Sequence, residues 1–196
     1  SWGYNPSFYF ATDKAYGTFN DFKEFVDECH ARGIAVIMDM VLNHSYGQSP
    51  LARMYLEGGK PAANNPWYNR DHNMENTSAQ WGYDFNHESP YTRELVDSIN
   101  SFWMSELRID GFRFDFTKGF TNTSYGPNSW ASSYDADRIA ILKRMSEEIW
   151  KRNSDAIVIF EHLSENSEEQ ELAENGILMW GNMNHPFSEA VMGYHE

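Results

Sequence analysis

Two periods of apolar residues alternate along the chain. From Asn20 to Arg32, Phe22, Phe25, Val26 and Cys29 recur at helical spacing, and Gly33 follows as a stop. Ile34 to Val41 (IAVIMDMV) is a short, nearly continuous apolar run rich in β-branched residues, the pattern of a parallel strand covered on both faces. Ser89-Pro90 is a cap followed by proline at the first helical position. Tyr91, Leu95, Ile99, Phe102 and Trp103 carry that stripe towards Leu107. The stretch IDGFRFDFTK, Ile109 to Lys118, comes next as a strand, and a helix over Asp135 to Arg152 follows through Ile139, Leu142, Met145 and Ile149. AIVIF, Ala156 to Phe160, repeats the buried-strand pattern. Glu168 to Asn175 reads as a short helix stopped by Gly176, and Ile177 to Trp180 starts one more strand.

Helices alternating with apolar strands are the signature of βα units around a parallel sheet. Alternation alone leaves an open sheet and a closed barrel equally possible. No strand is followed by a glycine-rich phosphate loop: Asn43-His44-Ser45-Tyr46-Gly47 and Glu161-His162-Leu163-Ser164 both lack the fingerprint, which counts against a nucleotide-binding fold. One link is far longer than the usual 4 to 6 or so residues. It covers residues 45–88, is rich in Asn, Gly and aromatics, and reads as an inserted loop-rich subdomain, because Trp67, Tyr68, Trp81, Tyr83 and Phe85 would be costly to leave in water.

Composition narrows the picture. The chain of 196 residues, 41% hydrophobic and 16% aromatic, is of the globular class, and its formal net charge of -14 disfavours nucleic acid and anionic membrane surfaces as partners. Cys29 stands alone, so neither an internal disulfide nor a thiolate metal site can form. No apolar run approaches the roughly 20 residues of a membrane span, and Ser1-Trp2-Gly3-Tyr4 is unlike a signal peptide. The missing initiator Met suggests an excerpt of a longer chain.

Charged residues sit where parallel strands end, the edge at which such folds bind ligands. Three strands finish in polar clusters: Asp39 with Asn43-His44, Arg113 with Asp115, and Glu161-His162. Period-two alternation puts Arg113 and Asp115 on one face and Phe112 and Phe114 on the other. Taken alone, Asp115 fits a buried ion pair as well as a catalytic group, Asp39 fits a hydrogen-bond acceptor for backbone or a nearby arginine, and His44 and His162 fit structural histidines. An Asp and a Glu from different strands at one edge, however, are the pair that glycoside cleavage needs. An arginine beside Asp115 would keep it ionised as nucleophile. Glu161, closing an apolar strand, would hold a proton as acid through a raised pKa. Trp67, Trp81 and Trp130 read as loop packing residues rather than sugar platforms.

Five motifs in order carry a family resemblance. DMVLNH (Asp39 to His44), GFRFDFTK (Gly111 to Lys118) and FEH (Phe160 to His162) resemble the first three motifs of the α-amylase family, glycoside hydrolase family 13. YDFN (Tyr83 to Asn86) and WGYNPSFYFATDKAYGT (Trp2 to Thr18) are similar to further segments of it. The resemblance implies an α/β fold over residues 1–196, a partial (β/α)8 TIM barrel with the loop-rich domain inserted after strand 3. It implies a retaining hydrolase of α-1,4-glucans such as starch or glycogen, or else a branching or debranching enzyme. A barrel relative that binds sugar without catalysis is a further alternative, opposed by the presence of both Asp115 and Glu161. Asp115 would be nucleophile, Glu161 general acid and base, and Arg113 the partner fixing Asp115. Tyr4 and His44 would hold the sugar next to the cleaved bond, and Lys118 would reach the leaving side. Asn43, Asp84 and the carbonyl of Gly119 would hold calcium, although Gly119 stands where many members carry His. The family's fourth motif, a His-Asp pair, is absent, as are the first two strands. The excerpt alone is therefore expected neither to fold stably nor to hydrolyse glucan, because a partial barrel leaves open strand edges.

Overall fold

A computed structural model describes residues 2–181 and 183–194. In chain order the elements are α1 (Phe19–His30), β1 (Ile37–Met40), β2 (His44–Ser45), α2 (Pro50–Arg53), β3 (Leu56–Glu57), β4 (Lys60–Pro61), β5 (Tyr83–Asp84), α3 (Pro90–Leu107), β6 (Gly111–Phe114), α4 (Ala136–Arg152), β7 (Ile157–Phe160), α5 (Asn166–Glu174), β8 (Leu178–Met179) and α6 (Asn184–Met192). Short 3₁₀ turns lie at Thr77–Ala79 and Thr117–Gly119.

The strands foreseen from apolar runs form one sheet in the order β1-β6-β7-β8, with the pairs parallel throughout. Register brings Asp39 beside Arg113 and Arg113 beside Ile159, so the polar clusters foreseen at the strand ends share one edge. The strands are shorter than their apolar runs. Before β1, the Val36 amide donates 2.6 Å to the Asp110 carboxylate instead of entering the ladder, and His30 pairs with the same carboxylate oxygen at 2.9 Å.

The helices begin for local reasons. Thr18 and Asp21 form a reciprocal capping box at α1, and Asp135 accepts from the amides of Asp137 and Arg138 at α4. At α3 the structure differs from the simple reading of Ser89 as a side-chain cap. The Ser89 hydroxyl donates 2.6 Å to the Pro66 carbonyl, tying the helix start to the insertion instead. Helix α6 was not foreseen, and it buries none of its residues.

Phe112, Phe114 and Phe160 are fully buried: Phe112 stacks on Phe114 at 5.3 Å, and Phe114 meets Phe160 edge-on at 5.8 Å between ring centroids. Ile99 of α3 and Leu142, Met145 and Ile149 of α4 cover them in one continuous core. Gly111 lets β6 lie this close to β7: a Cβ there would stand 2.0 Å from the Ile157 carbonyl oxygen.

Residues 45–88 are not a structureless excursion. They hold two small antiparallel pairs, β2 with β5 and β3 with β4. The first pairs His44 with Asp84, and the Phe85 amide donates 3.1 Å to the Asn43 carbonyl, so the late part of the insertion folds back onto its own root. Tyr68 stacks on Phe85 at 4.4 Å and Tyr9 meets the same ring edge-on at 5.7 Å, which buries the aromatic residues of the insertion against the main core.

Candidate active site

Beyond Phe114 the chain leaves β6 by a tight route. The Asp115 amide donates 2.9 Å to Met40 of β1, and Phe116 takes a left-handed conformation at φ 44 before the turn at Thr117–Gly119. A bulky residue in that region costs of order 1 to 3 kcal/mol and is held only by its surroundings. The bend stands the Asp115 carboxylate at the sheet edge. Glu161 follows β7 in the same way, its amide on the Phe114 carbonyl at 3.0 Å and its own carbonyl accepting from the Thr117 amide at 3.0 Å and hydroxyl at 3.2 Å. The two carboxylates are therefore positioned through each other's loops.

Arg113 is the hub between them. One terminal nitrogen donates to Asp39 at 2.7 Å and to Asp115 at 3.1 Å, and the other donates to Glu161. Its guanidinium lies between the Tyr4 ring at 5.6 Å and the Trp180 ring at 4.9 Å. The Tyr4 hydroxyl in turn donates 2.7 Å to Asp39. Asp39 thus has the bland part foreseen for it, accepting from an arginine.

Charge distribution departs from the sequence expectation. Arg113 pulls the Asp115 carboxyl down, but burial and the adjacent Glu161 carboxylate outweigh it and push Asp115 up to about 7. The argument that Arg113 alone keeps Asp115 ionised is overturned, because the arginine is shared among three carboxylates and its remaining influence is smaller than the desolvation of a mostly buried group. Desolvation and the neighbouring carboxylate thus favour the protonated form of Asp115 up to about neutral pH.

A cavity of about 290 Å³ opens onto these groups, lined by Tyr4, Asn5, His44, Trp81, Asp115, Phe116 and Glu161. Four of the sequence candidates therefore meet in one space. His44 is buried, which holds its imidazole below the usual range. Its Nδ1 accepts from the Asn43 amide at 3.2 Å, which assigns the proton to Nε2, donating to the Tyr4 carbonyl at 3.0 Å. Lys118 does not line this cavity. Its ammonium lies 3.2 Å from the Ser132 hydroxyl and 3.4 Å from the Leu163 carbonyl, and burial and nearby Arg138 lower its pKa while Glu161 opposes them. His162 is the structural histidine foreseen for it, buried between Thr117 at 2.9 Å and Glu168 at 2.7 Å.

Two contributors were not singled out in the sequence: Trp180 under Arg113 had no motif to mark it, and Asn5 in the cavity lies inside the segment WGYNPSFYFATDKAYGT. Trp81 packs against the buried cluster of Met74, Ala79 and Ala131, as foreseen, and also lines the cavity, 5.9 Å from His44. Its place late in the insertion, just before YDFN, was the available signal.

Of the calcium candidates, Asn43 and Asp84 lie at the β2–β5 pairing, and Gly119 packs against Asn43. The side-chain oxygens Asn43 Oδ1 and Asp84 Oδ1 are buried without a hydrogen-bond partner, an arrangement that suits a hard cation. Burial pushes Asp84 up to about 7. A Cβ at Gly119 would stand 1.9 Å from Asn43 Oδ1, so glycine is what this packing admits in the place where His is frequent. The Gly119 carbonyl also accepts from the Asn73 amide at 2.6 Å, leaving one lone pair. Among the described residues no three His, Cys, Asp or Glu gather around one point, so the donor set is mostly neutral oxygens with a single carboxylate.

A parallel sheet with carboxylates and an arginine at its carboxyl edge places the candidate site where barrel enzymes carry theirs. Comparison with known proteins agrees. The sequence model of the "Alpha amylase, catalytic domain" family matches residues 1–82. The 1,4-alpha-glucan branching enzyme GlgB of Aliivibrio fischeri is 32% identical over 173 residues, covering 82% of this chain and 23% of the relative. The enzyme of the same name from Geobacillus stearothermophilus is 30% identical over 162 residues, covering 82% and 24%. Among solved structures, Eubacterium rectale Amy13B superposes with a TM-score of 0.73 at 22% identity, covering 98% of this chain and 41% of that one. The Bacillus licheniformis trehalose-6-phosphate hydrolase TreA gives 0.69 at 22% identity, covering 86% and 36%. The chain belongs to the α-amylase family, glycoside hydrolase family 13, and its fold is part of that family's (β/α)8 barrel. It spans about a quarter of the length of the curated relatives it matches.

Proposed function

We propose that the protein carrying this chain cleaves α-1,4-glucosidic bonds of starch- or glycogen-type glucans by double displacement. The observation that supports this most is the meeting of Asp115 and Glu161 in one cavity. The first displacement needs Asp115 as the carboxylate and Glu161 as the proton donor. An Asp115 oxygen attacks the anomeric carbon, the bond to the leaving oxygen breaks, and the Glu161 proton passes to that oxygen. Glu161, now a carboxylate, takes a proton from water as the water oxygen attacks the same carbon, and the bond to Asp115 breaks. Arg113 holds both carboxylates in place and balances the charge that remains on the pair. Tyr4 and His44 would grip the ring at the cleaved bond, and Lys118 would steady the leaving side from its anchor on Ser132 and Leu163.

Calcium enters this reading as a structural ion held by Asn43, Asp84 and the Gly119 carbonyl. When bound it would neutralise Asp84 and cross-link the root of the insertion to the loop after β6.

One observation favours a second reading. The curated relatives named above are branching enzymes, for which the acceptor in the second displacement would be a glucan hydroxyl instead of water. Incubating the full-length protein with linear amylose separates the two: new reducing ends support hydrolysis, whereas new branch points without reducing ends support transfer. Asp115→Asn should abolish either activity while sugar binding survives, and unchanged turnover refutes the assignment.

We also propose that the 196-residue chain is inactive by itself. Among the described residues β1 and β8 have one sheet partner each, and Phe25, Ile34 and Leu178 are exposed. A cooperative unfolding transition together with amylose cleavage by this chain alone would refute that.

A further inference from the structure

Trp130 is a large ring left half in water, 44% exposed, on a loop that is fastened just beyond it. The next residue, Ala131, is fully buried in a left-handed conformation at φ 54, a strained choice for alanine. What holds it is Arg138, itself fully buried. Its guanidinium donates 2.7 Å to the Ala131 carbonyl, 3.0 Å to that of Ser133 and 2.8 Å to that of Lys118, and pairs with both oxygens of buried Glu168 at 2.7 Å. The Ser132 carbonyl accepts from the Glu165 amide at 2.7 Å. The backbone just after Trp130 is thus clamped, while its ring stays outside the buried cluster of Met74, Ala79 and Ala131.

The exposed ring is aimed at another. Trp130 lies 6.4 Å from Trp81 at 36°, and Trp81 lies 5.9 Å from His44, so the three rings lead from the cleavage cavity outwards. Trp81 is backed edge-on by Phe116 at 5.0 Å, which fixes its angle. A pre-formed pair of flat apolar faces, one at the cavity and one beyond it, costs little conformational entropy to present to a ligand. The C–H faces of glucose rings match such surfaces.

We propose that Trp130, with Trp81, forms an accessory binding platform for an α-glucan segment beyond the ring at the cleaved bond, making Trp130 a determinant of chain-length preference. The identity of the ligand rests on the function proposed above; the existence of the platform rests on the clamped loop and the ring geometry.

The test uses the full-length protein made inactive by Asp115→Asn, with maltose and maltoheptaose as probes in isothermal titration. Adding Trp130→Ala should weaken maltoheptaose binding about five- to tenfold and maltose less than about twofold. Trp130→Phe should recover most of the loss. Trp130→Leu, apolar but without a flat face, should not, which separates stacking from packing. Equal weakening of both sugars, or unchanged maltoheptaose affinity, overturns the platform. Binding of neither sugar by Asp115→Asn with Trp130 intact instead overturns the glucan reading itself.

Discussion

Replacing Arg138 with Met should be among the most damaging single changes in the molecule, although Arg138 touches neither cavity nor sugar. The guanidinium satisfies Glu168 twice and the carbonyls of Lys118, Ala131 and Ser133 once each, all between 2.7 and 3.0 Å. Methionine fills similar volume but leaves Glu168, with its side chain fully buried, supported among the described residues by His162 and the Asp135 amide alone. Breaking a buried ion pair from one side costs about 3 to 5 kcal/mol, because the remaining charge stays desolvated and unpaired. Removing both charges together, as Arg138→Met with Glu168→Leu, spares that penalty, so the double variant should be more stable than the single one by at least about 1 kcal/mol. Urea unfolding of the full-length protein, read by tryptophan fluorescence, measures both. A single variant within about 1 kcal/mol of the parent, or a double variant less stable than the single, would refute the view that this network is a costly clamp. The loop that carries Trp130 and the carbonyl next to Lys118 depend on it.

Other expectations follow from separate features. Because Asp115 is pushed up to about 7 and must be ionised to attack, kcat/KM should fall on an acid limb centred near that pH, below which the nucleophile is protonated; a flat profile from pH 5 to 8 contradicts this. Calcium at a hundred times its dissociation constant should stabilise the folded protein by about 2.7 kcal/mol, and Asn43→Ala should erase the response; an unaltered Tm on chelation in the parent argues against the ion. Gly111→Ala would thrust a methyl group to 2.0 Å from the Ile157 carbonyl, forcing β6 and β7 apart at a cost of about 1 to 3 kcal/mol visible as a lowered denaturation midpoint.

What could be read from sequence follows the length scale of the interactions. The helices α1, α3 and α4 and the strands β1, β6 and β7 were legible because their amphipathic or apolar periods run along contiguous residues. Asp115 and Glu161 were legible as a pair because strand-end placement is a property of parallel α/β folds. The protonation balance was not, since it depends on how Arg113 divides itself among Asp39, Asp115 and Glu161 and on how deeply each is buried. The place of Trp81 at the cavity and the Arg138–Glu168 pair went unseen for the same reason: their partners lie far away in sequence, and only the folded loops bring them together.

On the proposed mechanism Asp115 forms a bond to the sugar. Mass spectrometry of the Glu161→Gln variant of the full-length protein, after reaction with an α-glucosyl fluoride whose leaving group needs no acid, detects that bond. A glycosyl adduct should appear on the peptide containing Asp115 and be released when azide is added. An adduct on another residue, or turnover with inverted stereochemistry and no adduct, would contradict that mechanism.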